Sequence, residues 1–287
     1  RGGVGIERMD PQKDIDRVWF STATLRQKRH LTLPALATQT AASGVTGSFS
    51  VGGIADHANV IYAAFGTAVR AYTLSSDSWG STLRTLGAGA IDTISNFRLS
   101  GTVYTAFSYG TGYDYLTGST WATSAKDADF LVFHRDRLWG IDSTGQLWWA
   151  STLGTEVNHA QLPLVDSAVT NLFVGRAPTN KFIIYAATTN GVWALNFDDQ
   201  RFEPVEPQLP FHPDNGLGAD AWRDAWYVSA GLGTYKAVSG TGTVIITLVG
   251  LDQDHGVPSD YRGRIRRLIP TLNGLVALLD ATSSSSV

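Results

Sequence analysis

The chain has 287 residues and no cysteine, which excludes disulfides and thiolate metal sites and leaves packing to supply stability. A net charge of −3 gives no bulk attraction for nucleic acid or membrane surfaces, and no apolar run nears the roughly 18 residues of a membrane span. Only 16% of residues are charged against 43% hydrophobic, and 30 glycines accompany many β-branched and aromatic residues, a balance that favours short strands and tight turns over helices.

From the N-terminus, residues 1–35 lack the apolar centre of a signal peptide. The chain begins with Arg rather than Met, which reads as a processed product or a piece of a longer protein. Residues 17–22 and 30–34 read as the first strands. Six short apolar strands with interleaved small residues then follow in turn, at 60–65, 103–107, 138–141, 183–187, 226–228 and 275–279. Anchored at Tyr62, Tyr104, Trp139, Tyr185, Tyr227 and Val276, they recur at steps of 42, 35, 46, 42 and 49 residues. A period of about 43 is what one four-stranded propeller blade requires.

Each anchor strand has a hairpin partner before it, as in 129–133 ahead of Arg135 and Asp136, or 171–174 ahead of 177–180. The first five are followed by a polar turn and a third strand, at 68–72, 113–115, 146–149, 191–195 and 234–238; the fourth strand of each repeat is faint. Residues 204–219, with Pro204, Pro207, Pro210 and Pro213, read as a loop extended over one face. The sixth repeat offers only 264–269 and 274–280 before a Ser-rich end. The expectation is therefore an all-β, single-domain chain over 1–287. It forms a six-bladed β-propeller, seven blades being the alternative, in which N-terminal strands within 15–35 complete the last blade with 262–280.

Candidate chemistry is sparse. His134-Arg135-Asp136 matches the catalytic-loop triplet of protein kinases, but that motif needs an Asn five residues after its Asp, and position 141 is Ile, so the triplet reads as a hairpin turn. The glycines at 231, 233, 240 and 242 lie between strands, where they serve turns and not a phosphate-binding helix start. Asp252, Asp254 and Asp260 have the carboxylate spacing that Ca²⁺ favours but lack the bidentate Glu that closes an EF-hand loop. Apart from that ion, no cofactor is expected. Trp148, Trp149, Tyr113, Tyr115 and Trp222 are the candidate ligand-binding aromatics. Adjacent tryptophans on a strand face opposite sides, so one of Trp148 and Trp149 either offers a stacking platform or packs between blades.

The first repeat resembles a kelch-type blade, with Gly52-Gly53 and then Tyr72 and Trp79 separated by six residues across a polar turn. Leu195 and Phe202 keep that spacing, and Tyr115 and Trp121 are one residue closer. The resemblance implies aromatic pairs packed between neighbouring blades. The phrase 137–151 and its partial echo at 17–21 are similar to propeller-like structural proteins of tailed-phage virions. That similarity implies a non-enzymatic, tail-associated or surface component whose partners are other structural proteins or a receptor, with neither nucleic-acid binding nor membrane insertion. A carbohydrate- or receptor-binding module using exposed aromatics is the first alternative, and a propeller glycoside hydrolase or lyase the second.

Overall fold

In a computed structural model the described residues are 25–27, 30–32, 49–57, most of 60–230 apart from a few turn positions, 233–239, 244–249, 263–270 and 275–281. They are strands and turns without a helix. Five four-stranded antiparallel sheets follow one another along the chain. Sheet 1 is β3 (Phe49–His57), β4 (Val60–Phe65), β5 (Ala68–Thr73) and β6 (Ser78–Thr85). Sheet 2 is β7 (Thr93–Leu99), β8 (Thr102–Ser108), β9 (Tyr113–Thr117) and β10 (Thr120–Ser124). Sheet 3 is β11 (Phe130–His134), β12 (Arg137–Ile141), β13 (Gln146–Ala150) and β14 (Val157–Gln161). Sheet 4 is β15 (Val169–Arg176), β16 (Phe182–Thr188), β17 (Gly191–Asn196) and β18 (Arg201–Pro204). Sheet 5 is β19 (Ala219–Trp222), β20 (Ala225–Ala230), β21 (Gly233–Ser239) and β22 (Val244–Val249).

Two further strand pairs form two-stranded sheets of their own. β23 (Gly263–Pro270) pairs with β24 (Leu275–Ala281), as the two-strand sixth repeat anticipated. β1 (Leu25–Gln27) pairs with β2 (His30–Thr32), and among the described residues this pair joins no other sheet. Residues 17–22, the other candidate for the shared blade, lie outside the described residues.

Within each sheet the chain is a simple meander, and the first strand of each sheet lies against the first strand of the next, β3 on β7, β7 on β11, β11 on β15, β15 on β19 and β19 on β23. Successive sheets pack face to face, which is why strands that read as continuous apolar runs are buried on both sides. In β16, Tyr185 and Ala187 enter the core shared with Phe173, Trp226 and Val228 of sheets 4 and 5. The alternate residues Ile184 and Ala186 enter the core shared with Trp139, Ile141 and Leu147 of sheet 3. Period-2 alternation thus serves two cores at once. The same arrangement places Phe107 and Leu116 of sheet 2 against Ala64 and Val69 of sheet 1, and Phe97 and Tyr113 against Leu138 and Trp148 of sheet 3.

The aromatic pairs test the register. Tyr72 lies opposite Trp79 across β5 and β6, with ring centres 5.1 Å apart, and Leu195 lies opposite Phe202 across β17 and β18. The third pair departs from the pattern. Trp121 lies opposite Leu116, and Tyr115 opposite Ala122, because shortening the spacing by one residue moves a side chain to the other face of the sheet. Trp121 accordingly packs on Phe107, towards sheet 1, while Tyr115 packs towards sheet 3.

Candidate functional site

The five aromatic candidates separate into two kinds of environment. Trp148 and Tyr113 are fully buried between sheets 2 and 3, with their rings stacked at 5.6 Å. Trp148 lies directly across from Gly140, and its indole covers that glycine so closely that a Cβ there would fall 2.1 Å from the Trp148 Cζ2. The indole Nε1 donates to the Asp127 carbonyl at 2.8 Å, so its one polar group is also satisfied. Trp148 therefore roofs a glycine inside a core and presents no face to a ligand. Tyr115 is half-buried in the same cluster, 6.1 Å from Tyr104.

Trp149 and Trp222 are half-buried at the edge of the sheets, and each is capped by an arginine. The Arg137 guanidinium carbon sits 3.8 Å from the Trp149 ring centre, and that of Arg223 sits 4.3 Å from Trp222. A third cap, Arg135 over Phe197 at 4.3 Å, links the β11–β12 turn of sheet 3 to the β17–β18 turn of sheet 4. Each such contact contributes about 0.5–1 kcal/mol where it is exposed. The candidate metal ligands Asp252, Asp254 and Asp260 lie outside the described residues; among the described residues no group of three or more His, Asp or Glu is placed to hold an ion.

The turn carrying Arg135 explains how this edge is built. Arg135 and Asp136 have φ of 51° and 54°, the pair of left-handed residues that a two-residue type I′ hairpin requires. The flanking His134 and Arg137 are cross-strand partners. Trp139 stands opposite Trp149 on the face towards sheet 4, and its Nε1 donates to the His134 carbonyl at 3.0 Å. Around Trp139 gather His159 at 5.1 Å and Phe197 at 5.6 Å, with His134 5.8 Å from Phe197. Burial lowers the pKa of both histidines, and Arg135 beside His134 and Arg137 beside His159 lower it further, so both imidazoles stay neutral at pH 7. The result is a rim where sheets 3 and 4 meet, built of aromatic rings, neutral imidazoles and two arginines lying over rings.

No family model matches the sequence, and no curated protein matches it either. Solved structures do match. The extracellular domain of a hybrid two component system protein from B. thetaiotaomicron superposes with a TM-score of 0.58 at 16% identity, over 81% of this chain and 31% of that one. A chain of the mitotic checkpoint complex gives 0.55 at 12% identity, over 83% of this chain and 75% of that one. BBS1N, in its complex with ARL6DN, gives 0.53 at 10% identity, over 79% and 74%. The fold is all-β and propeller-like. The chain spans about a third of the length of the B. thetaiotaomicron protein.

Other charged groups in this propeller-like fold join sheets or strands. Asp114 of β9, with a side chain 2% exposed, accepts hydrogen bonds from Arg84 Nε of sheet 1 at 2.5 Å, from Thr123 Oγ1 at 2.8 Å and from the Tyr109 hydroxyl at 3.1 Å. Glu156, ahead of β14, accepts from the Tyr113 hydroxyl at 2.5 Å and from Ser124 Oγ at 2.8 Å, tying sheet 3 to sheet 2. Burial pushes the Glu156 carboxyl up, but these hydrogen bonds outweigh it and leave the pKa below the usual range. The carboxyls of Asp92 and Asp129 converge beside Gly110. Burial first, and Asp129 second, push Asp92 up to about 6. Sequence reading did not single out Arg84, Asp114 or Glu156, because their partners in the neighbouring sheet lie 30 to 43 residues away. The doublet of aromatics flanking Asp114 was the available signal, since a carboxylate between two core-facing tyrosines points into the next core.

Proposed function

We propose that this chain is a non-enzymatic docking module, a six-bladed β-propeller whose ends bind other proteins within a surface assembly or a tail-associated virion particle. One observation carries the reading. The aromatic faces that sugar stacking needs are already occupied, either inside a core (Trp148, Tyr113) or beneath a guanidinium (Trp149, Trp222, Phe197), so the chemistry left facing solvent at that edge is arginine. Planar, weakly hydrated guanidinium over an aromatic ring is the residue chemistry enriched in protein interfaces.

The structural neighbours agree in kind. One is an extracellular domain, and two were solved within protein complexes. In this reading the five four-stranded sheets are five blades, and the proposed sixth would combine β23–β24 with N-terminal strands within 15–35. Successive face-to-face packing leaves the turn-bearing ends as the accessible surfaces, where rigid propellers present their contacts.

Cross-linking mass spectrometry on the intact source particle or cell surface tests this. Cross-links from the β11–β12 and β19–β20 turns to a second protein are expected. Glycan-array binding lost in Trp149→Ala, or turnover of a polysaccharide by the purified chain, would overturn the docking reading in favour of the carbohydrate-binding or hydrolase alternatives.

A further inference from the structure

We propose that the rim where sheets 3 and 4 meet, marked by Arg135 on Phe197 and Arg137 on Trp149, is a seat for acidic side chains of a partner protein. The inference deepens the docking reading and rests on it.

Three independent observations converge there. The first is that neither arginine has an ion pair among the described residues, whereas their neighbours do. Arg201 is engaged by Glu203 at 2.9 Å and Asp199 at 3.4 Å, and Arg176 by Asp224 at 2.6 Å. The second is geometric. Each guanidinium carbon lies over a ring, at 4.3 and 3.8 Å, so the side chain is restrained. A restrained, planar guanidinium suits a carboxylate, which it binds through two parallel hydrogen bonds.

The third observation is the backbone. Arg135 holds φ at 51°, a conformation that Gly or Asn adopts at least cost, and the equivalent turn of sheet 2 has Ser100-Gly101 in the same place. The fold does not require an arginine at that position, so the strain it carries points to a use for the side chain. Arg223 repeats the device in sheet 5, with φ of 56° and its guanidinium over Trp222.

The other charges at this rim do not cancel it. His134 and His159 are neutral, Asp199 is held by Arg201 and by Asn196 Nδ2 at 3.0 Å, and Asp136 and Asp198 are exposed at the turn tips. An acidic peptide is favoured over an acidic sugar because both ring faces are already covered by guanidinium, which leaves hydrogen-bonding edges and no stacking platform.

The test uses the full chain with defined probes: acetylated hexaglutamate, a matched hexaglutamine peptide and sialyllactose, titrated by calorimetry and by tryptophan emission. Hexaglutamate should bind below about 1 mM in low salt, and Arg135→Gln or Arg137→Gln should each weaken it about tenfold with the thermal midpoint retained. Arg98→Gln, which removes the same charge from an exposed position on sheet 2, should change it by less than about twofold. Arg137→Lys, which keeps the charge and loses the planar fork, should behave like Arg137→Gln. Equal losses in the Arg98, Arg135 and Arg137 variants, or no hexaglutamate binding at all, overturn the seat. Hexaglutamine binding that ignores Arg135 and Arg137 overturns the seat but leaves docking intact. Sialyllactose binding that depends on these arginines, without peptide binding, overturns both.

Discussion

Replacing Gly140 by Ala probes the packing between sheets 2 and 3 most directly. In a strand, Gly→Ala normally stabilises by about 0.4–1 kcal/mol by restricting the unfolded chain. Here the added Cβ would lie 2.1 Å from Cζ2, 2.4 Å from Cε2 and 2.8 Å from Cη2 of Trp148. The indole has to move, and Tyr113 stacked on its other side and the Asp127 carbonyl bound to its Nε1 both resist. Overpacking of this kind costs about 1–3 kcal/mol, and breaking the indole hydrogen bond adds about 1 kcal/mol. The net expectation is a loss of about 2–3 kcal/mol, which for a chain of this size lowers the thermal midpoint by about 5 °C. Urea and thermal unfolding of Gly140→Ala, Trp148→Phe and the double variant measure it. If the ring and the methyl compete for one space, the double variant is more stable than the sum of the singles by about 1.5 kcal/mol. A neutral Gly140→Ala, or strict additivity, would refute the argument that Trp148 is fixed over that glycine.

Removing the arginine from the pair joining sheets 1 and 2, as Arg84→Met, leaves Asp114 buried with only Tyr109 and Thr123 as donors. It should cost about 2–3 kcal/mol in urea unfolding, with Asp114→Asn in the same chain recovering part of the loss. Asp92 has a pKa raised to about 6, above its unfolded value, so the folded state holds the extra proton between pH 4 and 6 and stability falls as pH rises through that window. Asp92→Asn should flatten this slope in a series of thermal midpoints against pH; an unchanged slope would show that Asp92 is not its source. The proposed sharing of the closing blade is open to cross-linking, since a chain without cysteine reports only the pair introduced. Ser21→Cys with Ala277→Cys should join intramolecularly through a bismaleimide spanning about 10–15 Å, the width of two to three strand spacings. Failure of that pair and of Thr22→Cys with Ala277→Cys would remove the shared blade.

What the sequence disclosed follows from where each strand lies. The second strands of sheets 2, 3 and 4 were legible, as in 183–187, because they are covered on both faces and so read as apolar runs. The fourth strands were faint for the opposite reason. β6 and β14 have mostly exposed or half-buried side chains, and nothing in their apolar pattern separates them from turns. Turns were legible where two polar residues joined hairpin partners, as at Arg135 and Asp136. The site was less so. Trp148 was a candidate platform because adjacency to Trp149 shows that the two face opposite ways but not which way is covered. Gly140 beneath it held the answer, but linking the two requires knowing the register of β12 and β13. The Arg135 cap was hidden by distance along the chain, since Phe197 lies in a different sheet from Arg135.

The packing scheme itself narrows where specificity can reside. In sheets 2, 3 and 4 both faces are consumed by neighbouring sheets, so substitutions on a face alter stability before they alter recognition. Hairpin turns escape that constraint because they project beyond the cores. A turn can nevertheless be too mobile to bind well, and ordering it on binding costs affinity. The Arg135 turn avoids this by anchoring both ends of the arginine, its backbone through the type I′ hairpin to β11 and β12 and its guanidinium on Phe197 of the next sheet. A side chain that would otherwise be among the most flexible on the surface is thereby fixed by two sheets at once. For that reason Phe197→Ala, which removes no charge, should weaken acidic-peptide binding nearly as much as Arg135→Gln does.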